Sequence, residues 1–211
     1  VVQRTGEART LGRTVVATTS RPEDDAIADL CATHHLPCFR GADDDVLSRV
    51  TSAALTFGID PVVRVTADCP FVCPGAIDDL VSALRASDAD YATYDVATVH
   101  EGIDPFRLRY LARANALFLP SDEREHLALL VRRGRANVRV VRTKAPDGVA
   151  AREGLRLSVD EPADLEFARA VVALLGPDFT TRDLLALIDA RPTLLAMNRH
   201  VARVVPVGVH A

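Results

Sequence analysis

One lysine, Lys144, stands in a chain of 211 residues where the other 24 of 25 lysine and arginine positions are arginine. With a formal charge of -4 and a pI near 5.9, the chain lacks the basic excess of a nucleic-acid binder. It also lacks any apolar run near the ~18 residues that a membrane span requires. The opening VVQRTGEART has no apolar signal-peptide stretch. These absences read as a cytoplasmic protein with neither nucleic acid nor membrane as partner. Cysteine is sparse: Cys31, Cys38, Cys69 and Cys73 contain no C-x₂-C pair and read as small buried apolar residues, not as zinc ligands or a disulfide frame.

What is present is enough apolar material, 48% of residues, for one full core, so residues 1–211 are expected to form a single domain. Strand-like and helix-like patterns alternate. Strands are expected over 13–19, 36–39, 62–68, 90–93, 138–143 and 155–160, and helices over 21–34, 43–57, 74–87, 108–118, 122–133, 163–175 and 181–189. That order predicts an α/β fold with a mainly parallel sheet and helices on both faces. Residues 1–3 read as the end of a further strand, yet 4–14 already resemble the tail of a helix. A βαβ crossover needs at least ~10–12 residues, so this one reads as cut short.

Two acidic segments carry the chemistry. VVRVTADCP, residues 62–70, ends an apolar β-branched run in Asp68, and LRLSVDEPADLE, residues 155–166, ends another in Asp160 before Pro162 opens a helix. In one parallel sheet both carboxylates would reach the crevice at its carboxyl edge, where open α/β sheets bind ligands. One such Asp is explained by capping the next helix. Two in matching contexts suit Mg²⁺, which takes one or two carboxylates and fills its shell with phosphate oxygens and water.

Read together, seven segments resemble the cytidylyltransferases of the acylneuraminate and spore-coat polysaccharide type: VVATTS with Asp24 and Asp25, FRGADDDVLSRV, VVRVTADCPFVCP, Asp90-Tyr91, Arg124-Glu125-His126, LRLSVDEPADLE and PTLLAMNRHV. The resemblance implies a nucleotide-diphospho-sugar-transferase-like (Rossmann-like) sheet and transfer of CMP from CTP to an acidic sugar or similar acceptor. Asp68 and Asp160 would then hold Mg²⁺, and Gln3, Arg40, Gly41, Asp45 and Arg49 would border the nucleotide. Tyr91, Glu101, Gly102, Asp104 and His126 would face the acceptor. It also implies a homodimer, with residues 94–118 as an arm whose Val96, Val99, Ile103, Phe106, Leu108 and Leu111 meet the partner.

Two departures from that pattern stand out. The family's phosphate-binding loop, ending in lysine, is missing after Gln3, which predicts either a chain break between Gln3 and Arg4 or an inactive, loop-less paralogue. HEGIDPF, residues 100–106, places Glu101 where the family has Asp and Phe106 where it has a second acid, so Phe106 is expected to pack rather than bind. A metal-dependent glycosyltransferase of the same fold is the competing enzyme reading. Elsewhere plainer roles are expected: Asp43 as a helix N-cap, His34 and His35 at an exposed helix end, and Arg132, Arg133 and Arg135 on a solvated one.

Overall fold

The computed structural model describes residues 1–201; the last ten residues of the expected domain, 202–211, lie outside them. The order is α1 (Val2–Gly6), β1 (Val16–Thr19), α2 (Asp25–Thr33), β2 (Cys38–Gly41), α3 (Val46–Phe57), β3 (Val62–Val65), α4 (Pro74–Arg85), β4 (Tyr91–Tyr94), β5 (Ile103–Phe106), α5 (Leu108–Asn115), α6 (Ser121–Glu125), α7 (Leu127–Arg132), β6 (Val140–Thr143), α8 (Pro162–Leu175) and α9 (Thr181–Ala190).

Local chemistry explains the helix limits. Asp45, not Asp43, caps α3 by accepting the Ser48 N–H at 2.8 Å, and Gly58 closes that helix in the left-handed region. Asp43 instead accepts from the Ser20 N–H. Helix α4 opens on Pro74 and sets Ile77, Leu80, Val81 and Leu84 on one buried stripe. Each contributes roughly 2 kcal/mol of burial. Helices α8 and α9 both begin with reciprocal capping boxes, Glu161 with Asp164 and Thr180 with Asp183.

The strands form two sheets among the described residues. β1 and β2 pair in parallel, while the second sheet runs β3-β5-β4-β6, with β4 and β6 parallel and β5 antiparallel to its neighbours. Helix α4 packs on one face of the larger sheet against Ala92, Tyr94 and Ile103. Helices α3, α5 and α7 cover the other face around Val62 and Phe106. A third cluster, with Phe71, Leu157, Phe167, Val171 and Leu184, seats α8 and α9 beside the sheet.

Several expectations are corrected here. The single sheet is divided: the free edges of β1 and β3 border an apolar groove of about 370 Å³ lined in part by Val16, Ala17, Val50, Val63 and Val65. The strand expected to end at Gln3 is instead the helical turn α1, and the Thr5 N–H reaches the Val1 carbonyl at 2.9 Å across the Gln3–Arg4 link. The chain is therefore continuous there, which overturns the account of a loop omitted at that point. Arg4 is buried, donating to the carbonyls of Val72, Pro177 and Phe179.

The expected arm over 94–118 holds a strand that was not foreseen, while 95–102 are irregular apart from an isolated bridge at Thr98. Ile103–Phe106 is strand β5, whose Pro105 hid it in the sequence, and its ladder with β4 reduces to the single pair Tyr91–Phe106, where a missing donor costs little. Val99, Ile103, Phe106 and Leu111 are buried within this chain, so of the expected contact residues only Val96 is a large exposed hydrophobic. Last, residues 155–160 form no strand. Arg156 is held by its guanidinium and by the Asn198 amide on its carbonyl instead of by a ladder.

Candidate active site

The segments that carry the two acids meet at the carboxyl end of β3. After Val65 the chain turns, with the Cys69 N–H on the Thr66 carbonyl at 3.2 Å, and Asp68 sits half-exposed on that turn. The Val159 N–H then donates to the Asp68 carbonyl at 2.8 Å, which fixes the segment bearing Asp160 against the same sheet edge. Asp68 is touched by the Cys69 thiol at 3.6 Å, and Asp160 by the Ser158 hydroxyl at 3.2 Å and by the Arg156 guanidinium. No group of three or more His, Cys, Asp or Glu gathers as a metal cage among the described residues. A pair of carboxylates is the donor set that a hydrated Mg²⁺ takes up.

Beneath Asp160 lies a buried polar cluster. Asp164 accepts from Arg156 Nε at 2.9 Å, from the backbone N–H groups of Asp160 and Glu161 at 3.1 and 3.0 Å, and from Asn198 Nδ2 at 3.0 Å. Burial would raise the Asp164 carboxyl, but these donors outweigh it and hold the group below the usual carboxylate range. Burial pushes the neighbouring Cys69 thiol up to about 12, so it stays protonated and is no nucleophile.

Glu101 and Gly102 adjoin the Asp68 turn, since the Thr66 N–H donates to the Gly102 carbonyl at 3.2 Å. Gly102 has φ +70°, and a Cβ there would stand 2.2 Å from Thr66 Oγ1 and 2.5 Å from Cys69 Sγ. Gly102→Ala is expected to cost roughly 1–3 kcal/mol in urea unfolding and to disturb the Asp68 turn. Unchanged stability and activity would show that the turn has room to spare. Tyr91 and Asp104 are joined farther along β4 and β5, with the Tyr91 hydroxyl on Asp104 Oδ1 at 3.0 Å and Arg64 on Oδ2 at 3.1 Å. Burial, followed by the Asp104 charge, raises the Tyr91 phenol well above its ordinary value.

A second group gathers at the ends of β1 and β2. Arg40 donates to the carbonyls of Thr19 and Arg21 and pairs with Asp25 at 2.6 Å, so its guanidinium braces the strand ends. Gly41 lies against Phe39 and Arg49, and a Cβ there would fall 2.6 Å from Phe39 Cε1. Arg49 Nε is buried with no hydrogen-bond partner, a donor left to spare beside the groove between β1 and β3. Asp45 pairs with Arg124 at 2.6 Å, which draws the Arg124-Glu125-His126 motif to the start of α3. His126 is the joint between α6 and α7 and not a mid-helix residue. Gln3 is exposed on α1. A separate cleft of about 650 Å³, bordered by His100, Arg152 and Arg182, takes in none of the predicted site residues.

Residues 1–184 match the family described as cytidylyltransferase. The chain belongs to the cytidylyltransferase family. It is accordingly a nucleotidyltransferase. It is 28% identical over 184 residues to the spore coat polysaccharide biosynthesis protein SpsF of Bacillus subtilis, covering 84% of this chain and 75% of that protein. To an uncharacterised protein of Methanocaldococcus jannaschii it is 26% identical over 204 residues, 95% of this chain and 83% of the relative. Among solved structures, a cytidylyltransferase from Leptospira borgpetersenii superposes with a TM-score of 0.83 at 23% identity, over 96% of this chain and 86% of that one. The CMP:2-keto-3-deoxy-manno-octonic acid synthetase complexed with CTP superposes with a TM-score of 0.63 at 17% identity, over 82% and 86%. These likenesses bear out the α/β nucleotide-sugar-transferase-like fold.

Within this cytidylyltransferase several side chains escaped the sequence reading. Arg156, Asp164 and Asn198 lie inside motifs that were noticed for other residues. Glu123 is wholly buried and accepts from Arg133 at 2.7 Å and Arg135 at 2.7 and 2.8 Å, so these two arginines are not merely a solvated helix end. Hydrogen bonds from Arg135 above all, and then from Arg133, hold its carboxyl below the ordinary range. Within the charged run SDEREH, residues 121–126, nothing local marks Glu123 as the buried acid, and its partners lie ten and twelve positions on.

Proposed function

We propose that this protein transfers CMP from CTP to an acidic sugar or similar acidic acceptor, with Mg²⁺ held between Asp68 and Asp160. The observation that supports the reading is the Val159 to Asp68 backbone bond, which joins the segments carrying Asp68 and Asp160, some ninety residues apart, at one sheet end beside Glu101 and Gly102. In the reaction an acceptor oxygen attacks the α-phosphorus of CTP, the bond to the bridging oxygen breaks, and pyrophosphate leaves. The bound cation would neutralise the phosphate charge that develops. Arg49 has a spare buried donor for the nucleotide, while Arg40, Gly41 and Asp45 shape the strand ends around it. On this reading Glu101 and Gly102 would face the acceptor, and Tyr91, bonded to Asp104, would support them.

The test is incubation of purified protein with CTP, Mg²⁺ and a panel of sugar acids, reading pyrophosphate and the mass of a CMP-linked product. Pyrophosphate together with a CMP adduct is the expected result. Consumption of a nucleotide-sugar without pyrophosphate would replace this reading by glycosyl transfer, and no turnover of CTP with any acceptor would replace it by the inactive, loop-less paralogue that the continuous Gln3–Arg4 link leaves standing. The same reading includes a homodimer, for which exposed Val96, Leu117 and Phe118 supply an apolar surface. Light scattering at micromolar concentration is expected to give twice the chain mass, and a monomer would sink that part alone.

A further inference from the structure

We propose that Arg156 acts as the resident counter-cation of Asp160, occupying one oxygen of that carboxylate until a divalent cation competes for it. The inference rests on the Mg²⁺ reading above and adds to it a positioning residue that sets how tightly the bare site holds metal.

Arg156 is buried, and its two reaching nitrogens have different partners. Nε is anchored on Asp164 Oδ1 at 2.9 Å, inside the cluster closed by Asn198, whose Nδ2 also donates to the Arg156 carbonyl at 3.2 Å. Nη2 reaches outward to Oδ2 of Asp160, whose side chain is half in solvent. One end of the guanidinium is therefore fixed in the interior and the other is presented at the metal site. Asp164 also receives the backbone N–H groups of Asp160 and Glu161, so the carboxylate that anchors Arg156 fixes the main chain of Asp160 as well. This arrangement makes the Asp160 side chain the one movable partner in the cluster.

The electrostatic consequence has a definite sign. A cation approaching Asp160 meets a guanidinium already paired with it, and the two positive charges repel across a few ångströms of partly dry protein. Pairing with Arg156 lowers the affinity of the empty site for free metal. Asp68 carries no such pair: its described side-chain contact is the Cys69 thiol. The asymmetry suits a site that takes its cation together with a triphosphate, whose negative charge offsets the guanidinium, and takes it poorly alone.

If Arg156 merely held the fold, its loss would loosen Asp160 and weaken metal binding or leave it unchanged. Charge competition predicts the opposite. Mn²⁺ alone, titrated by electron paramagnetic resonance into nucleotide-free protein, is expected to bind Arg156→Gln about tenfold more tightly than the unchanged protein, and Arg156→Lys as the unchanged protein does. Asp160→Asn should bind more weakly. If Asp160→Asn leaves Mn²⁺ affinity unaltered, the metal site itself is misplaced and this inference falls with it. If Asp160→Asn weakens binding but Arg156→Gln does not tighten it, the inference alone is overturned. Should Arg156→Gln not fold, the Arg156 guanidinium resonances of the unchanged protein decide. They must shift when Mg²⁺ is added, and a guanidinium that ignores Mg²⁺ refutes the competition.

Discussion

Asp68→Asn is expected to lower kcat/KM for cytidylyl transfer by roughly 10³-fold or more, because on the proposed reading it removes one of the two charges that would hold a cation against the transferring cytidylyl phosphate. The same substitution should change unfolding free energy by no more than about 0.5 kcal/mol. Asp68 is half-exposed on a turn, and among the described residues its side chain meets a weak thiol donor and no cation. Asparagine keeps the shape and can still accept from that thiol. Steady-state kinetics with CTP, paired with urea unfolding, separates the two roles. A variant that unfolds at ordinary temperature would assign Asp68 to the fold, and one that keeps full activity would remove it from the metal site.

Phe106→Ala is expected to destabilise the protein by about 3–5 kcal/mol, a large share of the ~5–15 kcal/mol that holds a typical domain. The ring is wholly buried on β5, 4.9 Å from the Tyr91 ring and 5.9 Å from the Tyr110 ring, which it meets nearly parallel. It sits where the family pattern has an acid, and the structure gives it a packing role, as the sequence suggested. Truncation would open a cavity between the sheet and the helices α3 and α5, and through Tyr91 it would slacken the Asp104 wall. Thermal and urea unfolding measure it. A loss below 1 kcal/mol would mean that the site collapses easily and that Phe106 is not the keystone of this face.

Most helices were legible because their signals are local. The stripe Ile77, Leu80, Val81, Leu84 repeats every three or four residues, Pro162 and Thr180 mark helix starts, and Gly58 marks a stop. Strands β1, β2, β4 and β6 were found within a few residues of their positions for the same reason. The β5 strand was lost to Pro105, and the Asp160 segment was read as a strand because LRLSV has strand composition without a strand's neighbours. A lone sequence shows whether a residue suits a pleat, not whether an edge stands beside it.

The sequence by itself determined the α/β class and the family, and it singled out Asp68 and Asp160 as the candidates to hold a cation. Tertiary structure alone decided the rest: the division into two sheets, the helical turn through Gln3, the pairing of Tyr91 with Asp104, and the clamp of Arg156, Asp164 and Asn198 beneath Asp160. Hydrophobic periodicity and capping act over three or four residues and leave their mark in the chain. Ion pairs and hydrogen bonds in the interior join positions such as Arg64 with Asp104 and the Arg156 carbonyl with the Asn198 amide, forty or more residues apart, and depend on which surfaces exclude water. That exclusion exists only once the chain has folded.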